Sequence, residues 1–246
     1  MVYIPSVEVY TFTYNDSAHI DHLIRWYSAR FKNLKIIVFD NESTDDTVAR
    51  AESLGCTIVS RGGLEAVGIE KFIELKHKCL EISQSDYTLI CDIDELLDVS
   101  DNDLLEYQPT IVRGIGYHMV GDQETSYENI RKGIRDPFYD KCLLFKRDKV
   151  LEINYSPGAH GCNPTYVQGH VSEEYLRRNL YHFRWLSLEF VIERYKRNAK
   201  RITEADRQKG YAYQYFLGEE KLQEEYSAAQ QNSSLLPIVW NPILSN

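Results

Sequence analysis

Across the first hundred residues, short β-branched and aromatic runs alternate with stretches of helical periodicity. No other feature narrows the fold as much. Residues 7–13 (Val-Glu-Val-Tyr-Thr-Phe-Thr) read as a strand and end at Tyr14-Asn15-Asp16-Ser17, a group of helix N-cap residue types. Ile20, Leu23, Ile24 and Tyr27 then recur at helical spacing. The plan repeats with a strand over 35–39 and a turn at Asp40-Asn41-Glu42. Ser43 is the expected cap of a helix that carries Asp45 and Asp46 in its first turn and stops at Gly55. Residues 56–60 form a third strand. A helical pattern over 65–83 delivers the chain into a fourth, Leu89-Ile90-Cys91. Four strand-helix alternations predict an α/β fold with a doubly wound, mostly parallel central sheet, followed by an irregular α+β second half.

Ligands of such sheets bind beyond the carboxyl ends of the strands, and three polar groups fall there: Thr13-Tyr14-Asn15, Asp40-Asn41 and Asp92-Ile93-Asp94. The last is the most informative. Asp92, Asp94 and Glu95 put three carboxylates within four residues at a strand end, which suits a hard divalent cation whose shell is completed by phosphate oxygens. A solvated acidic turn is the plain alternative, and Asn/Asp turns at the other two strand ends are most often only turn chemistry. No Gly-x-Gly-x-x-Gly follows the first strand and no P-loop pattern occurs, which argues against dinucleotide and P-loop sites.

At 246 residues one core suffices. A net charge of −9 argues against a nucleic-acid surface. The five cysteines, odd in number and widely spread, match no zinc spacing, so a reducing compartment is the simplest expectation. With neither a leader pattern nor an apolar run of about 18 residues, a soluble cytoplasmic protein is expected, with peripheral membrane contact left open. Oligomeric state is not legible.

The run Phe39-Asp40-Asn41-Glu42-Ser43-Thr44-Asp45-Asp46-Thr47 resembles a signature of glycosyltransferases with the GT-A fold, especially the family 2-like group. Asp92-Ile93-Asp94-Glu95 is similar to that group's Asp-x-Asp-Glu, and Asn15-Asp16 resembles the Asn-Glu after its first strand. Leu180-Tyr181-His182-Phe183-Arg184-Trp185-Leu186-Ser187-Leu188-Glu189-Phe190 resembles the element that closes its catalytic domain. The resemblance spans residues 7–201 and implies transfer of a sugar from a nucleoside diphosphate donor to a hydroxyl acceptor, presumed to be a glycan. It implies Asp94 and His182 as ligands of Mn²⁺ (or Mg²⁺), with imidazole favouring Mn²⁺, and Asp92 towards the ribose or a metal-bound water. Thr11, Tyr14, Asn15, Asp40, Ile93 and Lys141 are the further candidates for the nucleotide-sugar site. Asp40 would accept from the imide N–H of uracil, which makes UDP the first choice and deoxythymidine diphosphate the second. For an inverting transfer the candidate bases are Asp140 and His160, the latter in the loop Ser156-Pro157-Gly158-Ala159-His160. A retaining transfer needs no base there.

The expected organisation is a GT-A domain over 1–205, with a nucleotide-binding half at 1–100 and an acceptor and metal-closing half at 101–205. An extension at 206–246 would pack on the domain or on a partner subunit. Residues 124–135 read as a polar loop able to close over substrate, and Asp122 as a solvated turn. After Ser187, a helix is expected with Val191, Tyr195 and Ala199 inward. Arg194, Lys196, Arg197, Lys200 and Arg201 are expected on its solvated face. His19, His22, His77, His118 and His170 sit in no motif and read as structural or surface residues. Two other functions fit the acidic strand end: a catalytically silent nucleotide-sugar or glycan binder, and a metal-dependent phosphohydrolase or nucleotidyltransferase. The absence of a Gly-x-Gly-x-Arg loop counts against the nucleotidyltransferase.

Overall fold

The computed structural model describes residues 3–60, 68–169 and 175–240. The start of the 65–83 helical pattern, His170 and the last residues of the tail lie outside them. The N-terminal half runs β1 (Val7–Thr13), α1 (Ser17–Ser28), β2 (Leu34–Asp40), α2 (Thr47–Ser53), β3 (Thr57–Ser60), α3 (Ile69–Ile82) and β4 (Tyr87–Ile90). These strands lie side by side as β4-β1-β2-β3, all parallel, with β1 buried along its whole length. A strand buried on both faces needs helices on both sides. α1 supplies Ile20, Leu23, Ile24 and Tyr27 to one face, whereas Cys79 and Leu80 of α3 pack on the other.

Beyond β4 come β5 (Glu95–Leu97), α4 (Asp101–Tyr107), β6 (Ile111–Val120), β7 (Lys132–Arg135), β8 (Cys142–Lys146), β9 (Val150–Glu152), β10 (Thr165–Tyr166) and β11 (Leu176–Trp185). Here the sheet turns mixed. β8 joins β4 and β6 antiparallel, β6 takes β7 beyond β8, and β11 runs parallel to β6 over most of its length. β11 also pairs antiparallel with β5, so the short strand after the acidic turn is fastened to one near the end of the sheet. The architecture is the expected α/β one, with its longest ladders parallel.

The closing segment holds α5 (Leu188–Ala199), α6 (Glu204–Gln208), α7 (Glu219–Asn232) and β12 (Ser234–Leu235). Ser187 caps α5 by accepting from the Phe190 N–H, as expected. α7 seats Leu222, Tyr226 and Ala229 against Trp185 and Val191, and the Tyr226 hydroxyl donates to the Gly121 carbonyl at 2.7 Å. β12 then adds to β7, and Trp240 packs edge-on against Trp26. The described part of the 206–246 extension packs on the sheet and core of the rest. Among the described residues no helix is long and apolar enough to cross a membrane.

Two local expectations are corrected. Ser43 caps no helix: α2 starts four residues later, and the Asp45 carboxylate accepts from both the backbone N–H and the hydroxyl of Thr47. Residues 124–135 are not an open loop. They contain a 3₁₀ turn (Tyr127–Asn129) and β7, and Tyr127 and Ile130 enter the core.

Candidate active site

A cavity of about 450 Å³ opens over the carboxyl ends of β1, β2 and β4. Phe12, Phe39 and Phe72 line one end with Tyr14 and Asn41. Asp92, Ile93, Asp94 and His182 lie in its wall. Asp136, Phe138, Tyr139, His160 and Arg184 line the other end. That volume is of the size that holds a small-molecule ligand.

The acidic turn owes its position to β11. The Phe183 N–H donates to the Asp94 carbonyl at 2.8 Å, and His182 lies opposite Glu95 in the ladder. Asp94 Oδ2 and His182 Nε2 therefore meet at 3.1 Å, although 88 residues separate them. Asp94 also accepts from Arg194 Nη1 of α5 at 2.5 Å. Burial alone would raise the Asp94 carboxyl, but Arg194 and then His182 outweigh it and hold it well below the usual range. Burial likewise lowers His182, only partly opposed by Asp94. The imidazole is thus neutral at ordinary pH.

Asp92 and Glu95 enter a second charge group beneath the first. Lys76 Nζ donates to Asp92 Oδ1 at 2.6 Å, and Lys141 Nζ donates to Glu95 Oε1 at 2.5 Å and to Asp92 Oδ2 at 3.3 Å. Asp92 is 30% exposed, while Lys141 and Glu95 are 3% and 2% exposed. Burial would raise Asp92, yet Lys76 and Lys141 together hold it well below its ordinary value. Glu95 is raised by burial despite Lys141. Lys141 is raised, because Glu95 and Asp92 more than offset its burial.

Behind His182 stands a residue the sequence gave no reason to select. His118 of β6 faces it with Nδ1 to Nδ1 at 2.9 Å, and His118 Nε2 meets Asp136 Oδ2 at 2.9 Å. Burial lowers His118 to about 4, with Asp136 partly opposing it. Gly116 permits this arrangement. A Cβ there would stand 2.5 Å from Tyr139 Cβ and 2.6 Å from its carbonyl oxygen, so only glycine lets the turn over 137–139 lie on the sheet. The Tyr139 ring then stacks on His182 at 4.3 Å and 13°.

Asp92, Ile93, Asp94, His182, Tyr14 and His160 gather on the cavity. Burial lowers His160 to about 4, and its ring lies against Phe138 at 4.3 Å. Thr11, Asn15, Asp40, Lys141 and Asp140 do not line it. Thr11 is fully buried inside β1. The Asn15 side-chain oxygen accepts from the Thr44 and Asp45 N–H groups and ties two loops together. Asp40 accepts from the Ser43 N–H at 3.1 Å, so its carboxylate closes its own turn, and Asn41 lines the cavity instead. Lys141 is held beneath the turn. Asp140 accepts from the Gly116 N–H at 2.9 Å and from Arg135 at 2.7 Å, a structural use. Arg194 was expected in solvent and instead turns inward onto Asp94, its side chain 15% exposed; Arg197 donates to Asp16 at 2.9 Å. Position 194 lies three residues after Val191, on the inward side of α5, and that spacing was the available signal.

The donor set at Asp94 and His182 fits a divalent cation. A neutral imidazole nitrogen and a carboxylate oxygen at 3.1 Å have the spacing of two neighbouring ligands on one ion, about 3 Å for bonds near 2.1 Å. Among the described residues no group of three or more His, Cys, Asp or Glu side chains converges to hold an ion, so substrate oxygens and water would complete the shell.

No family model matches the chain. Proteins named uncharacterized glycosyltransferases in Rickettsia bellii and Rickettsia conorii are 36% and 35% identical to it over 103 residues, 41% of this chain. The chain spans about a third of the length of these curated relatives, 32% and 33%. Among solved structures, glucosyl-3-phosphoglycerate synthase from Mycobacterium tuberculosis, crystallised with Mn²⁺, UDP and glucosyl-3-phosphoglycerate, matches with a TM-score of 0.39 and 17% identity. That match covers 63% of this chain and 62% of that one. TarS from S. aureus matches with a TM-score of 0.44 and 12% identity, covering 90% of this chain and 43% of that one.

Proposed function

We propose that this chain carries a metal-dependent glycosyltransferase site that moves a sugar from a nucleoside diphosphate, UDP first, to a hydroxyl acceptor. The supporting observation is the meeting of Asp94 Oδ2 and His182 Nε2 at 3.1 Å in the wall of a cavity lined by aromatic and polar side chains. The similarity to proteins named glycosyltransferases points the same way.

Transfer leaves a diphosphate with growing negative charge, and that charge is the barrier to be lowered. Mn²⁺ or Mg²⁺ held by Asp94 and His182, with Asp92 nearby, supplies Lewis-acid stabilisation when bound. The remaining work belongs to the chain. Phe12, Phe39 and Phe72 offer the base an apolar wall, and Asn41 replaces Asp40 as the side chain placed to read its edge. Lys76 and Lys141 hold Asp92 in place. In an inverting transfer His160 receives the acceptor hydroxyl's proton. A burial-lowered imidazole is a weak base but is always in its accepting form at neutral pH.

One observation favours a second reading, a relative that binds nucleotide sugars without turnover: the carboxylates already have cations of their own, Arg194 on Asp94 and Lys76 on Asp92. The test is UDP release from a panel of UDP-sugars with Mn²⁺ and with chelator. Release that needs Mn²⁺ and rises with an acceptor supports the enzyme. Tight UDP binding with no turnover for any acceptor replaces it with the silent relative.

A further inference from the structure

Phe138 is 68% exposed and lines the cavity. A single exposed apolar side chain is ordinary on a protein surface. This one is held in place. Its turn opens with Pro137, the Phe138 N–H donates to Asp136 Oδ1 at 3.0 Å, and the Tyr139 N–H donates to the Asp136 carbonyl at 3.0 Å. The Asp140 N–H closes the turn on the Pro137 carbonyl at 3.2 Å, while its carboxylate accepts from Gly116 of β6. The phenyl ring rests against the His160 imidazole, with centroids 4.3 Å apart and planes 30° from parallel. One face of the ring is thus supported, and the rest stays open.

Two residues earlier, Asp136 lines the same cavity with its side chain 33% exposed. A carboxylate offers about four lone-pair positions. Here the Phe138 N–H meets Oδ1 and His118 Nε2 meets Oδ2, so each oxygen keeps room to accept again. The arginines of the cavity wall are engaged elsewhere: Arg194 lies on Asp94, Arg184 donates to Glu225 at 2.9 Å, and the Arg201 guanidinium lies 3.3 Å over the Tyr14 ring.

An open aromatic ring beside an accepting carboxylate narrows the occupant. An alkyl chain laid on Phe138 would cover Asp136 without giving it a hydrogen bond, and a charged group left dry in that way is costly. An anionic group would meet the carboxylate as a like charge. A sugar ring satisfies both neighbours, because its C–H face is apolar and suits the negative face of an aromatic ring while its hydroxyls donate.

We propose that Phe138 and Asp136 form a sugar subsite, in which a neutral pyranose lays one C–H face on the Phe138 ring and donates a hydroxyl to Asp136. In the transferase reading, on which this assignment rests for its purpose, that ring belongs to the acceptor and lies beside His160. The subsite itself needs neither an ion nor a nucleotide.

The test is saturation-transfer difference NMR on the full chain, without added metal, using the methyl β-glycosides of glucose, galactose and N-acetylglucosamine and methyl α-mannoside. In a β-gluco ring the first, third and fifth ring protons lie on one face and the second and fourth on the other, so stacking is read as unequal transfer to the two sets. Equal transfer to both faces for every glycoside that binds, or no transfer to any of them, overturns the proposal. Phe138→Ala and Phe138→Leu should both weaken the glycoside about fivefold or more, and Phe138→Tyr should stay within about twofold. Unchanged affinity in Phe138→Ala puts the sugar elsewhere, and a parental Phe138→Leu reduces the contact to apolar packing; either result overturns the proposal. Asp136→Asn keeps an acceptor for the Phe138 N–H and should preserve the unequal transfer while binding about threefold more weakly; parental affinity overturns the part given to Asp136. n-Octanol and glycerol phosphate serve as controls, and Phe138-dependent binding of either one without any glycoside replaces the sugar with an apolar or anionic occupant. Face-selective binding that needs Phe138, in a chain that releases UDP from no donor, leaves the subsite standing and removes the transferase reading alone. Acceptor-stimulated UDP release untouched by Phe138→Ala does the reverse.

Discussion

Replacing Lys141 with methionine tests whether the charge group under the acidic turn is closed. Lys141 Nζ lies 2.5 Å from Glu95 Oε1, and the two side chains are 3% and 2% exposed, so water cannot replace the lost partner. Removing one member of a buried ion pair costs roughly 3–5 kcal/mol, because the other charge stays buried without compensation. In a protein of this size that is a fall of about 6–20 °C in Tm. Asp92 keeps Lys76, so the cost falls on Glu95. The double variant Lys141→Met/Glu95→Gln removes that charge and should recover all but about 1–2 kcal/mol. Glu95→Gln alone should cost less than Lys141→Met, since Lys141 retains Asp92 at 3.3 Å. Urea unfolding followed by circular dichroism at pH 7.5 reads all three. A loss below about 1 kcal/mol for Lys141→Met, or a double variant no better than the single, would refute the reasoning.

Asp94→Asn keeps a hydrogen-bonding group on Arg194 and should leave the fold intact while weakening Mn²⁺-dependent UDP binding at least tenfold by calorimetry; parental binding would remove Asp94 from the site. Acidification should destabilise the protein. His118 drops from an ordinary 6.5 to about 4 on folding, so between those values the unfolded chain binds a proton that the folded chain refuses. Stability is then lost as pH falls, at about 1.4 kcal/mol per unit or roughly 2 kcal/mol by pH 5, and His182, lowered in the same direction, adds to it. Flat stability between pH 7 and 5 contradicts this. Tyr226→Phe deletes the bond to the Gly121 carbonyl and should cost about 1 kcal/mol in the same unfolding assay, whereas a neutral effect would mean that α7 docks without it.

Much of the first hundred residues was legible because the strands are rich in β-branched and aromatic residues and α1 and α3 each bury one face. Val7 to Thr13 could hardly be anything but an inner strand. The grouping of Asp92, Asp94 and Glu95 at a strand end was equally plain. The uses of individual polar residues were harder to read. Asp40 at a strand end is identical in sequence whether it faces a ligand or its own turn, and in the structure it accepts from the Ser43 N–H. Asp140 accepts from a backbone N–H on β6, which nothing near residue 140 announces. His118 stands 64 residues from His182, and only the parallel pairing of β6 with β11 makes them neighbours. Arg194 was misread for a different reason. A cation is assigned to solvent by default, and the carboxylate that draws it inward lies 100 residues earlier.

The pairing of β5 with β11 also bears on synthesis. A ribosome finishes the acidic turn long before it reaches residue 182, so the growing chain has its parallel strands and its aspartates but not the imidazole opposite them. Until β11 emerges and slots beside β6, β5 has no partner strand. The contact between Asp94 and His182 arrives late, with the seam that completes the sheet.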